Sequence, residues 1–263
     1  MKKNLRTFLQ EILHQVQTAH HTILFLDYDG TLVPICKEPS QARLSPDTKK
    51  LLRDLSCNPR FSVGIISGRT LKEIRTLVGS KRLFYAGNHG FEMVFQSRVW
   101  THPELAGFTS SLKGIVAKLK SQTRGIKGIF VEDKKLTVSI HYRNVKDTPP
   151  GALLALITEI VEPYPQAFTI ARGKKVFEVR PRIDWDKGKA VKEVTRLSAF
   201  KSKPLKIYIG DDQTDEDAFG VLAPEDISIR VGYKKGSAAR YFCRGSSEVV
   251  TFLKKLAGVS PRT

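Results

Sequence analysis

Five apolar runs, at 22–26, 62–66, 83–86, 205–209 and 227–231, are each preceded or followed by a stretch whose apolar side chains recur at helical spacing. This alternation constrains the fold more than any other feature. Strands separated by helices cannot be hairpins, so they must pair in parallel and bury both faces under the intervening helices. Helices are expected at about 5–18, 45–56 and 70–78, then again at 187–198, 215–222 and 247–257. Between them the grammar changes. A helix at 105–121, strands at 129–132 and 136–142, a helix at 151–162 and strands at 168–171 and 175–180 spell an αββαββ module. The expected fold class is therefore α/β: a Rossmann-like parallel-sheet core from 1–104 and 184–263, with an inserted α+β cap at 105–183.

Composition narrows the possible roles. The 263 residues carry 44 basic and 26 acidic side chains, a formal net charge of +18, so acidic chemistry must be concentrated in a few places. The insert alone has 14 basic and 6 acidic residues. No stacking or groove-reading motif accompanies that charge, so no nucleic-acid partner is expected. No run approaches the ~18 apolar residues of a spanning helix, and Gln10, Glu11, His14, Gln15 and Gln17 interrupt any signal-peptide core, so no membrane partner is expected either. Three cysteines without a CxxC pair suit a reducing compartment. The expectation is a cytoplasmic monomer.

Four segments carry chemistry, all at strand ends or helix starts. Asp27-Tyr28-Asp29-Gly30-Thr31 follows the first apolar run, and ligands of open α/β sheets bind at the carboxyl ends of strands. An ordinary Asp-Gly turn would look the same. Gly210-Asp211-Asp212-Gln213-Thr214-Asp215-Glu216-Asp217 follows another and holds five carboxylates. A helix N-terminus accounts for the last three, but Asp211 and Asp212 at the strand terminus call for a cation. Oxygen donors without a neighbouring His or Cys favour magnesium over zinc. Ser67-Gly68-Arg69-Thr70 opens a helix and suits a phosphate oxygen, although Ser67 could equally be a plain N-cap. Asp186-Lys187-Gly188 opens another, where a lysine can neutralise phosphate.

Together these segments resemble the four motifs of the haloacid-dehalogenase-like phosphatases. More narrowly, Gly87-Asn88-His89-Gly90-Phe91-Glu92, His141-Tyr142-Arg143, 174–181 and 210–219 resemble the trehalose-phosphatases. The resemblance implies Mg2+-dependent hydrolysis of trehalose 6-phosphate through an aspartyl-phosphate. Asp27 would be the nucleophile and Asp29 the acid–base. Asp27, the Asp29 carbonyl and Asp211 would hold the metal. Ser67 and Lys187 would stabilise the phosphoryl group. Asp212 is either a second ligand or an orienting group, and Asp215 orients Lys187 or a water. Thr31, Gly68, Arg69, Asn88, His89 and Gly90 are further substrate contacts by the same resemblance.

Sugar recognition would fall to the cap. Alternation puts Thr137, Ser139, His141 and Arg143 on one strand face, and Lys174, Glu178 and Arg180 on one face of another, opposite Lys175, Phe177 and Val179. Glu132, Arg143, Lys174 and Glu178 are the candidates to bond sugar hydroxyls, with Lys175 joining them if a bulge breaks the alternation. A merely solvated sheet face is the plain alternative. Rival activities are a phosphatase of sucrose phosphate or mannosyl-phosphoglycerate, a phosphomannomutase, and a non-catalytic sugar-phosphate sensor.

Overall fold

A computed structural model describes residues 3–36, 38–96, 98–198, 200 and 202–259. In chain order its elements are β1 (Lys3–Asn4), α1 (Leu9–Thr18), β2 (Thr22–Leu26), α2 (Pro46–Cys57), β3 (Phe61–Ile66), α3 (Leu71–Val78), β4 (Phe84–Gly87), β5 (Glu92–Phe95) and β6 (Arg98–Thr101). The next are α4 (Thr109–Gln122), β7 (Phe130–Asp133), β8 (Val138–His141), α5 (Pro150–Val161), β9 (Phe168–Gly173) and β10 (Val176–Pro181). The chain closes with α6 (Lys187–Leu197), β11 (Leu205–Gly210), α7 (Thr214–Gly220), β12 (Ile227–Val231), β13 (Tyr241–Cys243) and α8 (Ser246–Ala257). They form two compact units, Met1–Trp100 with Trp185–Thr263, and Thr101–Asp184.

The first unit is built on a sheet of order β1-β13-β12-β11-β2-β3-β4-β5-β6. Pairing is parallel from β1 through β4, and β5 runs antiparallel to β4. From β1 at one edge the chain crosses to β2 at the centre, winds outward through β3 and β4, then returns to wind the other way from β11. The switch point thus lies between β2 and β11, where successive loops diverge and leave a crevice at the strands' carboxyl ends. Leu24, Ile65, Ile209 and Ile229 pack one face against α1, α2, α3 and α8. Phe25, Ala86 and Tyr208 pack the other against α6 and α7. Burial on both faces is why these strands read as continuous apolar runs rather than alternating ones.

Local signals set the helix starts. Ser45 and Thr70 accept from the backbone N–H groups of Thr48 and Glu73, Pro46 pre-sets the first turn of α2, and Gly79 at φ +74° ends α3 in a left-handed cap. The short strands β1, β5, β6 and β13 lie outside the sequence expectation. Two to four residues hold too little pattern to read, and β1 is fixed by its parallel partner (Lys3 opposite Tyr241), so α1 starts at Leu9 rather than near residue 5.

The second unit has the order β7-β8-β10-β9, all antiparallel. Val138, Ile140, Phe177 and Val179 form one sheet face and pack on Leu112, Ile115 and Leu119 of α4 and Leu153 and Ile157 of α5. Strand alternation forces the opposite face to be the polar one. Arg143 and Lys174 differ from the sequence reading, because both lie in turns just outside β8 and β10, where face alternation no longer applies. Lys174 and Lys175 form the two-residue link between β9 and β10, and Lys175 has φ +65°.

Candidate active site

The site of the first unit is assembled from the ends of β2, β3 and β11 and the start of α6. Asp27 directly follows β2, and its N–H donates to Ile209 C=O. Tyr28 C=O then accepts from Thr31, Leu32 and Val33, tying 28–33 into a tight turn. Gly30 sits at φ +84°, and a Cβ there would overlap the Asp211 carboxylate. Glycine is therefore required both by the turn and by the approach of Asp211. Asp27, Asp211 and Asp215 are all buried and can each place a carboxylate oxygen within 4.8 Å of the others.

Lys187 makes this crowding tolerable. Asp186 caps α6 by accepting from Lys189 N–H, which sets Lys187 in the first turn and points it into the carboxylates. Its Nζ donates to Asp27 Oδ1 at 2.8 Å and Asp215 Oδ1 at 2.7 Å, with 3% of the side chain exposed. At Gly188 a Cβ would overlap Asp217 C=O, so glycine lets α6 pass close to α7. Asp215 also accepts from Tyr208 Oη at 2.8 Å and from the N–H groups of Asp211 (2.9 Å) and Asp212 (2.8 Å). Four donors engage its two oxygens, so it organises the loop and the lysine rather than offering itself to a ligand.

The electrostatics follow from burial and that lysine. Desolvation pushes the Asp27 carboxyl well above the usual carboxylate range, against the pull of Lys187, and Asp215 and Asp211 add to the rise. For Asp215 burial acts the same way, but Lys187 and the surrounding hydrogen bonds outweigh it and hold the carboxyl below its ordinary value. Lys187 is held well above the ordinary lysine value: burial opposes its charge, and the two carboxylates more than compensate.

Ser67 is buried at the end of β3, and its Oγ accepts from Arg69 N–H at 3.2 Å, leaving the hydroxyl hydrogen to donate elsewhere. Arg69 forks Asp29 through Nε (2.7 Å) and Nη2 (2.8 Å), bonds Pro39 C=O and pairs with Glu73. Its guanidinium is thus committed to the carboxylate expected as acid–base. Asn88, His89 and Gly90 run consecutively at positive φ. Asn88 N–H donates to Arg69 C=O, His89 N–H donates to Ser67 C=O, and the Asn88 amide donates to Glu92 Oε1. A Cβ at Gly68 would crowd the His89 ring. This segment braces the 67–70 loop. Asn88 and Gly90 are buried, as is the Thr31 hydroxyl, which has no hydrogen-bond partner among the described residues.

A family model described as Trehalose-phosphatase matches residues 25–248. "Probable trehalose-phosphate phosphatase 3" of Oryza sativa subsp. japonica is 35% identical over 257 residues, covering 90% of this chain and 69% of the relative. The chain belongs to the trehalose-phosphatase family. A second rice relative, "Probable trehalose-phosphate phosphatase 2", is 36% identical over 260 residues, covering 89% of this chain and 67% of its own. The C-terminal domain of Candida albicans trehalose-6-phosphate phosphatase shares the fold, with a TM-score of 0.82 at 24% identity over 99% of this chain and 100% of that one. The family's names describe phosphoric monoester hydrolases, enzymes that must meet a phosphate dianion with positive charge.

The first unit fits a hard divalent cation. The donors are oxygens only, and Gly30 seats the Asp211 carboxylate against the β2 loop. With Asp215 saturated, Asp27 and Asp211 are the side chains available to hold it. Asp212 is half-buried, and its C=O accepts from Arg230 Nη1.

On the polar face of the second unit, Glu178 lies at the centre of a buried cluster. Its Oε1 accepts from Lys134 Nζ (3.3 Å), Thr137 Oγ1 (3.3 Å) and Ser139 Oγ (3.4 Å), and Oε2 pairs with Arg180 Nε at 2.9 Å. Glu132 pairs with His141 Nε2 at 2.8 Å. Arg143 and Lys174 meet at the turns, where Arg143 Nη2 donates to Lys174 C=O at 2.9 Å. Lys174 and Lys175 are exposed.

Sequence reasoning missed Tyr208, Lys134 and Arg230. Arg230 did leave a signal: an arginine inside the apolar run Ile227–Val231 must find buried partners.

Proposed function

We propose that this chain hydrolyses trehalose 6-phosphate to trehalose and phosphate through an aspartyl-phosphate on Asp27, with Mg2+ as cofactor. The observation that carries the reading is the buried Lys187, bonded at once to Asp27 and Asp215 at the sheet's switch point in a member of this family. Mg2+, held by Asp27, Asp211 and the Asp29 carbonyl, would supply charge neutralisation of the phosphoryl oxygens that otherwise repel a carboxylate nucleophile. Asp27 attacks phosphorus in line, and the P–O bond to the sugar breaks. Asp29, released from Arg69 and protonated from solvent, gives that proton to the departing sugar oxygen; it then takes one from the water that attacks phosphorus, breaking the bond to Asp27 and freeing phosphate. Ser67 donates its hydroxyl hydrogen to a phosphoryl oxygen, and Lys187 offsets the charge that builds there.

Sugar recognition belongs in this reading to the polar face of the second unit. Glu178 orients Lys134 and Arg180 toward sugar hydroxyls, and Glu132, Arg143, Lys174 and Lys175 provide further polar contacts. Three free cysteines support a reducing, cytoplasmic setting. The test is phosphate release from trehalose 6-phosphate, sucrose phosphate and mannosyl-phosphoglycerate, each with Mg2+ and with a chelator. The expected result is Mg2+-dependent release with trehalose 6-phosphate preferred. Preference for another sugar phosphate would move the assignment within the superfamily, and no release from any would leave the sensor reading.

A further inference from the structure

Cations from different elements meet the carboxylates of 211–217: Lys187 of α6 at Asp215, and Arg230 of β12 and Lys234 at Glu216. Lys187 faces the side chains of Asp27 and Asp215. Arg230 meets the backbone of the same loop. The parallel register of β11 and β12 sets Arg230 beside Gly210, so its side chain reaches the two residues that follow the strand. Nη2 donates to Asp211 C=O at 2.5 Å, and Nη1 donates to Asp212 C=O at 3.1 Å and to Glu216 Oε1 at 2.7 Å. Glu216 is held in turn through Oε2 by Ala238 N–H at 2.7 Å and Ser237 Oγ at 3.1 Å. The Arg230 side chain is 10% exposed, and both its terminal nitrogens are bonded.

We propose that Arg230 is a positioning residue that sets the cation affinity of the Asp27–Asp211 site by clamping the carbonyls of Asp211 and Asp212. This rests on reading Asp27 and Asp211 as Mg2+ ligands. Asp211 has little latitude: its N–H is held by Asp215, its C=O by Arg230, and its carboxylate abuts Gly30. Releasing the carbonyl frees the peptide to rotate and carries the carboxylate off the site. The sign of the effect separates this role from a plain charge effect. A buried positive charge near a divalent cation repels it, so removing Arg230 as a mere charge would tighten Mg2+ binding. Removing it as a clamp weakens binding, because groups that orient ligands typically contribute about 10- to 100-fold in metal affinity.

Calorimetric titration of the full chain with Mg2+ tests this without reference to activity. Native protein, Arg230→Met, Arg230→Lys and Asp211→Asn are compared, with circular dichroism and thermal melting to establish that each is folded. The expected order is native binding, about 10- to 100-fold weaker binding for Arg230→Met, weakening also for Arg230→Lys, which keeps the charge without the planar fork, and none for Asp211→Asn. If Arg230→Met fails to fold, Arg230→Lys decides alone. Mg2+ affinity equal to or tighter than native in a folded Arg230 variant, with Asp211→Asn still abolishing binding, overturns the role of Arg230 and leaves the ligand reading intact. Failure of native protein to bind Mg2+, or full binding by Asp211→Asn, overturns the ligand reading and the proposal with it.

Discussion

Replacing Lys187 with methionine removes the cation between two buried carboxylates while keeping much of its volume. Asp27 and Asp215 are 5% and 0% exposed, so solvent cannot take over the role of the lysine. Breaking a buried ion pair by deleting one partner costs about 3–5 kcal/mol. For a unit of this size that corresponds to a fall of roughly 6–20 °C in melting temperature. The pH dependence carries the mechanism. In native protein the Asp215 carboxyl titrates below its unfolded value, so its stabilisation is present above the ordinary carboxylate range and is lost as pH falls through the depressed folded value. Lys187 titrates above its unfolded value, so its contribution is full below the ordinary lysine value and is lost only as pH rises through the elevated one. Without Lys187, burial and mutual repulsion push Asp215 up and Asp27, already raised in native protein, further up, so the folded variant binds more protons in weak acid than native protein does. The variant should therefore gain stability as pH falls from 8 to 5, narrowing its gap to native. The assay is thermal and urea denaturation at several pH values in a chelating buffer, with phosphate release in Mg2+ measured alongside. A variant as stable as native at pH 8, or a gap that does not change with pH, would refute the argument.

Three further outcomes are expected. Glu178→Ala removes the acceptor of Lys134, Thr137 and Ser139 and the partner of Arg180, so kcat/KM for trehalose 6-phosphate should fall about 10- to 100-fold while that for an aryl phosphate changes little. Equal losses on both substrates would make Glu178 a purely structural residue. Asp29→Asn should slow trehalose 6-phosphate turnover severely yet allow protein-bound phosphate to accumulate from an aryl phosphate, whose leaving group needs no proton, and failure to detect it in a quench experiment would favour direct attack by water. Thiol labelling should modify exposed Cys57 in native protein and spare Cys243, which is buried with its thiol pushed up to about 12; labelling of Cys243 as fast as Cys57 without denaturant would contradict its burial.

Much of the fold was legible because apolar strands buried on both faces leave uninterrupted runs, as at residues 23–26 and 207–209. The short strands were not, since Tyr241–Cys243 and Lys3–Asn4 are defined by their partners rather than by their own pattern. The core motifs could be read because each stands where an apolar run stops or a helix starts. What the sequence could not supply was the division of labour among like residues. Asp215 and Asp211 look equivalent in the string, and only the four donors around Asp215 separate the organiser from the available carboxylate. Arg69 looks like a phosphate ligand until its fork is found on Asp29. Arg143 and Lys174 look like strand residues until the turns between strands place them at the ends.

The proposed hydrolysis requires Asp27 as nucleophile. Phosphate release from trehalose 6-phosphate in Mg2+ by Asp27→Asn, measured beside native protein after both are found equally folded by circular dichroism, tests this most directly. The near-isosteric amide cannot form the aspartyl-phosphate, so the variant should release no phosphate above background while native protein turns over. Sustained release by Asp27→Asn at more than a trace of the native rate would contradict the account.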